Sequence, residues 1–332
     1  MATIKDVAKA AGFSTTTTSL VLSGKPGGDR ISDKTREKIL DTAARLGYRA
    51  NVAARRLKAN QSSGLMVSAF MALDTRAYGM MRFLLGLQAA IECCKQPIEL
   101  VIHSYKSGTL HTYMDSLELT GCAIICNANE DDLAFLHRAH ISVPIVLYLR
   151  DSDKFSTVNI NHALIGETAA EIFARRGHKH ALILGSERYF INMDIWTGSF
   201  AERARFLGLA VDKIDGINST KGGYSGGLKL CKMSSLPDCV FVESNAMAIG
   251  LLRALAEYNI QVPQQLEIIS IGIDIADFEA FTNVSVSTIY VPIEELAAKA
   301  LGILLNMVST GNNGPERVQL PTTYKCRESC GE

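Results

Sequence analysis

From residue 65 onward, short apolar runs alternate with longer amphipathic or buried stretches, and this alternation narrows the fold more than any other feature of the chain. Residues 65–70, 98–103, 122–126, 145–149, 181–184, 239–242 and 268–272 read as strands. Residues 80–94, 133–140, 165–176 and 246–259 read as helices between them. Strands and helices in turn give parallel sheets with helices on their faces. With at least seven strands and a break near residue 160, two doubly wound lobes are favoured over one sheet. The body is therefore expected to be α/β and two-lobed.

The first sixty residues differ. Twelve Lys and Arg stand there against five Asp and Glu, a net +7 that the rest of the chain cancels with −7. A basic head on an acidic body is expected where only one part meets a polyanion. Ile4, Val7, Ala8 and Ala11 make one apolar stripe on a short helix, which Gly12 interrupts. Ser14 is placed to cap a second helix with Thr18, Val21 and Leu22 inward. Ser32 caps a third, with Ile39, Ala43 and Leu46 inward and a stop at Gly47. Two short helices around a glycine turn form a helix-turn-helix candidate, and the third closes a miniature all-α core.

The second helix begins with four β-branched residues, Thr15 to Thr18, which lower helix propensity. Packing accounts only for Thr18. The hydroxyls of Thr15, Thr16 and Thr17 can donate and accept, their methyls can touch a thymine methyl, and a helix N-terminus favours a phosphate. A capped polar turn is the plain alternative; the basic surroundings favour DNA. Residues 49–60 then form a basic segment of two or three turns, with Val52, Ala53 and Leu57 on one side. It is too short to hold as an isolated helix, and folds against DNA or a partner copy unless it is a solvated linker.

Thr3 to Thr17, Thr35-Arg36-Glu37-Lys38-Ile39, Leu46-Gly47-Tyr48 and Val52-Ala53-Ala54-Arg55-Arg56-Leu57 together resemble the headpiece and hinge of the lac and galactose repressor family, most closely its purine-repressor branch. The resemblance implies a DNA-binding headpiece over 1–60, with a hinge helix at about 50–58. Its DNA contacts would come from Thr3, Ile4, Ser14, Thr15, Thr16, Thr17 and Leu20, and from Asn51, Ala54, Arg55, Leu57 and Lys58 in the hinge. Thr15, Thr16 and Leu20 would read bases, and Leu57 would be the wedge that paired hinges insert into the minor groove. The chain departs from the family at Leu20, where Arg or His is frequent, and at Ala50, where Pro is usual. The loop 23–30 is longer and richer in glycine than usual.

The body resembles the family's effector domain and the periplasmic sugar-binding proteins, whose lobes close on a ligand. The resemblance implies an effector and dimerisation domain over 61–332, one lobe from 61–160 plus a C-terminal crossover and the other from about 161–285. Ligands of open α/β lobes sit beyond the carboxyl ends of the strands. That points to Phe70 to Tyr78, Asn127 to Asn129, Phe190 to Trp196 and Asp274, and the effector candidates are Tyr78, Phe190, Asn192, Trp196, Asn218 and Asp274, the resemblance making Asp274 the family's frequent effector acceptor. Trp196 stands where relatives carry a cleft Arg. An indole offers a stacking face and one donor rather than a bidentate fork, unless it merely fills core. The effector is then expected to have a flat or apolar portion and not to be a typical free hexose.

Enzyme signatures are weak. Gly223-Tyr224-Ser225-Gly226-Gly227 fits a nucleophile elbow, but the preceding 218–222 read as a loop, not a strand. His178 and His180 lack a third metal ligand, and no phosphate-loop or dinucleotide fingerprint occurs, so no metal or cofactor is expected. The eight cysteines lack zinc spacing and read as reduced thiols. With no secretory signal and no span for a membrane, the chain is expected in the cytoplasm, without membrane partners. The combined expectation is a repressing regulator, bound as a homodimer to a two-half-site operator and controlled by a small-molecule effector. A protein partner docking on an empty cleft is the alternative, and no heptad tail follows Cys330 to join dimers.

Overall fold

The computed structural model describes residues 4–23, 31–46, 64–72, 77–187, 191–273, 278–312 and 314–331. The chain divides into two compact units, Met1–Gly64 and Leu65–Glu332.

In the first unit, α1 (Ile4–Ala11), α2 (Thr15–Ser23) and α3 (Asp33–Arg45) enclose Val7, Ala11, Val21, Ile39 and Ala43. Gly12 ends α1 at φ +76°, a left-handed conformation that glycine takes without steric cost, and its amide donates to Ala8 O. Ser14 Oγ accepts from Thr17 N at 3.0 Å and Ser32 Oγ from Thr35 N at 3.4 Å, so both serines act as caps. Leu46 departs from expectation. It is 41% exposed, because α3 ends at Arg45 and the residue after it no longer follows the helical stripe.

The second unit holds two six-stranded sheets among the described residues. The first lobe contains β1 (Leu65–Ala72), α4 (Ala77–Glu92), β2 (Ile98–Tyr105), α5 (Met114–Glu118), β3 (Cys122–Cys126), α6 (Glu130–Arg138), β4 (Ile145–Tyr148) and β5 (Ser156–Ile160). The chain then builds the second lobe from α7 (His162–Arg175), β6 (His180–Ser186), α8 (Ile191–Phe206), β7 (Ala210–Gly216), α9 (Thr220–Leu230), β8 (Cys239–Val242), α10 (Asn245–Glu257), β9 (Glu267–Gly272) and β10 (Ser287–Tyr290). It returns through α11 (Ile293–Thr310) and β11 (Arg317–Leu320), and ends with β12 (Thr323–Lys325). The sheet orders are β11-β5-β4-β3-β1-β2 and β12-β10-β9-β8-β6-β7, parallel except where β12 runs against β10. Both sheets thus receive a strand from the chain's last residues, and the second reaches past residue 285 because β10 and β12 join it.

Why β5 escaped the sequence reading is visible in its partners. Ser156, Thr157 and Asn159 are buried, yet Ser156 Oγ accepts from Glu316 N at 3.0 Å, and Asn159 Nδ2 donates to Asp151 Oδ1 at 2.8 Å. A strand built around buried polar residues such as these shows no apolar run. The strands β7, β10, β11 and β12 were missed as well. β7 and β11 carry half-exposed alternating residues, and β10 and β12 are short.

Candidate functional site

In α2 the exposed residues are Thr15, Thr16 and Ser19, with Leu20 half-buried beside them, while Thr18 and Val21 point into the core. Thr17 is drawn back onto the cap, its Oγ1 lying 2.8 Å from Ser14 Oγ. The exposed surface of α2 is therefore short hydroxyls around one leucine. The first turn of any helix also leaves backbone amides without intrahelical partners, which suits a phosphate. Ser19 was not singled out from the sequence; helical spacing from Thr15 and Thr16 would have found it. Thr3 and the hinge residues Asn51, Ala54, Arg55, Leu57 and Lys58 lie outside the described residues, and of Ile4 only its place in α1 is described.

In the second unit the residues that follow β3 and β4 meet Ile273, which follows β9, and Asn192 at the start of α8. Asn127 and Leu149 follow β3 and β4 at φ +56° and +55°, both nearly buried. A left-handed leucine is an uncommon backbone state, of a kind that concentrates at ligand sites. Both residues border a cavity of about 30 Å³, whose wall includes Met71, Met80, Phe83 and Tyr148 from the first lobe and Ile273 from the second. Beside it, Arg150 is 5% exposed. Its Nε donates to Ala128 O, and its Nη1 donates to Leu149 O at 3.2 Å and, across the seam, to Asn192 Oδ1 at 2.6 Å. Asn192 Nδ2 returns a bond to Leu149 O at 3.2 Å. The sequence singled out Asn192 but not Arg150.

Trp196 does not present a face to this seam. It is 1% exposed and packs in the apolar cluster with Phe173 and Phe200, and its Nε1 donates to His162 Nδ1 at 3.0 Å. The indole fills the core beneath α8, and the proposed stacking role is corrected accordingly. Since Nδ1 accepts, the His162 proton sits on Nε2 and is donated to Asn159 Oδ1 at 3.0 Å. Asn218 is likewise spoken for by packing: it is 6% exposed, and its Oδ1 accepts from Ser244 Oγ at 2.7 Å. Tyr78 has its backbone in α4, and Phe190 and Asp274 lie outside the described residues.

Two buried charges were missed by the sequence reading. Glu243, directly after β8, is 2% exposed, and burial pushes its carboxyl up to about 7 against the pull of the Ser186 amide. Arg82 on α4 donates to Glu294 at 2.7 and 2.6 Å, and to Gly272 O and Val291 O at 3.2 Å. It thereby ties α4 to the end of β9 and to the return crossing after β10. Burial alone would raise the Glu294 carboxyl, but the Arg82 guanidinium holds it below the usual carboxylate range.

The motifs that suggested catalysis belong to packing. Gly223 to Gly227 lie within α9, which begins at Thr220, so the expected loop is confined to residues 218–219 and, as expected, no strand precedes Ser225. His178 Nε2 lies 2.8 Å from Glu267 Oε2, and His180 Nε2 lies 2.9 Å from Asp212 Oδ2. Among the described residues no group of three His, Cys, Asp or Glu could hold a metal, and no helix is long and apolar enough to cross a membrane.

A helix-turn-helix head joined to a body of two linked α/β lobes is the plan of a DNA-binding transcription regulator. The family model of bacterial regulatory proteins, lacI family, matches residues 3–51, and that of the periplasmic binding protein-like domain matches residues 170–330. The chain belongs to the lac repressor family, and it is not an enzyme. It is 24% identical to the probable HTH-type transcriptional repressor ExuR of Bacillus subtilis, over 99% of this chain and 98% of that one. It is 26% identical to the HTH-type transcriptional repressor PurR of Pasteurella multocida, over 93% and 92%. The structure of a LacI family transcription regulator from Clostridium acetobutylicum superposes with a TM-score of 0.76 at 28% identity, covering 79% of this chain and 99% of that one.

Proposed function

We propose that the chain is a repressor that binds a two-half-site operator as a homodimer and is controlled by a small molecule in the cleft between its lobes. Thr15, Thr16 and Leu20 read bases, Ser14, Thr17, Thr3 and Ile4 position the head, and Asn51, Ala54, Arg55, Leu57 and Lys58 serve the hinge. The repressing sense follows the printed names of the relatives. Dimer formation is favoured by apolar residues left exposed on the second unit, among them Met81 and Leu85 one turn apart on α4 and Phe281 at 86% exposure. No observation favours control by a docked protein partner.

The observation that carries the effector reading is the pair of left-handed residues, Asn127 and Leu149, at the strand ends where the lobes meet. Asn192, Tyr78, Phe190 and Asp274 are its proposed polar and aromatic contacts. The cavity wall there is mostly apolar and includes Met71 and Met80, side chains that adapt to irregular shapes. A free hexose would bury hydroxyls against that wall without partners, at about 1–3 kcal/mol each. The effector therefore carries an apolar portion, now seated on Met71, Phe83 and Ile273 rather than on Trp196. A thermal-shift panel of free hexoses and their aryl glycosides tests this, since a ligand of the folded state raises apparent stability. Stabilisation by aryl glycosides alone is expected. Stabilisation by an unmodified hexose of equal size would reverse the assignment.

A further inference from the structure

We propose that Arg150 and Asn192 form an internal clasp that holds the two lobes together in the free chain. The guanidinium is aimed before it crosses. Its Nε is held by Ala128 O, and its Nη1 by Leu149 O, both from the first lobe. A further bond goes to the amide oxygen of Asn192 in the first turn of α8, and the Asn192 Nδ2 answers with a bond to Leu149 O. The contact is reciprocal and dry, since the two side chains are 5% and 4% exposed. The left-handed turn at Leu149 gives this arrangement its focus, because it places one carbonyl where both partners can donate to it.

The clasp lies beside the cavity of about 30 Å³. Such a space holds about one water, whereas pockets that take small molecules have roughly 300 Å³ or more. An occupant of that seam must part the lobes where the clasp joins them. Four residues further along α8, on the same helical face, Trp196 is bonded to His162 at the first crossing between lobes. Breaking the clasp therefore frees the start of α8 while its middle stays anchored, so the crossing acts as the pivot.

What the clasp closes is the effector cleft proposed above, but its test uses no effector, so the two readings fail separately. Hydrogen exchange of the full chain reports local opening as a rate. A buried charge-assisted bond contributes enough that Arg150→Ala and Asn192→Ala should each speed exchange in residues 145–152 and 191–197 by roughly tenfold, with β8 and β9 unchanged. The double variant should open no further than Asn192→Ala alone, because that substitution already removes both bonds across the seam. Asn192→Asp keeps an oxygen for the guanidinium but loses the donor to Leu149 O, and should be better protected than Asn192→Ala. Unchanged seam exchange, fully additive losses, or an Asn192→Asp variant as open as Asn192→Ala would overturn the clasp.

Discussion

Thr18 shows what a single residue contributes to the head. It is fully buried, and its Oγ1 has no hydrogen-bond partner. A desolvated hydroxyl without a bond costs about 1–3 kcal/mol, and valine has nearly the same shape. Thr18→Val should stabilise the head by about 1 kcal/mol, slowing amide exchange in α1 to α3 of the full chain about fivefold; faster exchange would show that the hydroxyl has a partner. Trp196 is the opposite case, where family position misled. Met193, Trp196, Phe200 and Ala204 are all buried at helical spacing, so the stripe that places the indole inside was present in the sequence. Burial of Glu243 and the reach of Arg150 were not legible in this way. Each depends on which strands become neighbours, and no local pattern encodes that.

At the scale of elements, the apparent nucleophile elbow is a packing surface. A Cβ on Gly223 would lie 2.0 Å from Met247 O, and one on Gly250 would lie 1.9 Å from Thr220 O, so the glycines let α9 and α10 touch backbone to backbone. Gly223→Ala should cost about 3 kcal/mol through overpacking, despite a gain of about 1 kcal/mol in helix propensity. Gly302→Ala in α11, where nothing lies within 4 Å, should show that gain alone. Urea denaturation separates the two, and equal effects would contradict the packing account. The strand end after β8 makes a pH prediction. The ordinary value for Glu243 is 4.5 and the folded value about 7, so the folded chain keeps a proton that the unfolded chain loses. The stability this confers is whole below pH 4.5 and is lost as pH rises through 7. Glu243→Gln keeps a neutral acceptor for the Ser186 amide. It should match the parent at low pH and exceed it above pH 7 by on the order of 3 kcal/mol. Glu267 and Glu294 are held below their usual range and act at lower pH, outside this window. A constant offset between the two proteins at all pH values would refute the assignment.

The strands that were read correctly, such as Cys122–Cys126 and Cys239–Val242, are continuous apolar runs buried on both faces. For the whole molecule, the plan of an all-α head and a two-lobed α/β body was legible because charge and periodicity both change near residue 60. The routing of β11 and β12 into different sheets was not, because those strands are short and partly exposed. The proposed function has the head and hinge work as a pair of copies on DNA. Leu57→Ala should therefore weaken specific binding far more than non-specific binding, since a wedge stabilises a kinked duplex. Arg55→Ala should weaken both and make the salt slope shallower by about one unit. Equal losses in both variants would remove the distinction. The most direct measurement is equilibrium binding of the full chain to the duplex it selects from a random DNA pool, beside a scrambled duplex of equal length. A palindromic selected site bound roughly a thousandfold more tightly than scrambled DNA at physiological salt is the predicted result; equal affinity for the two duplexes would contradict the account.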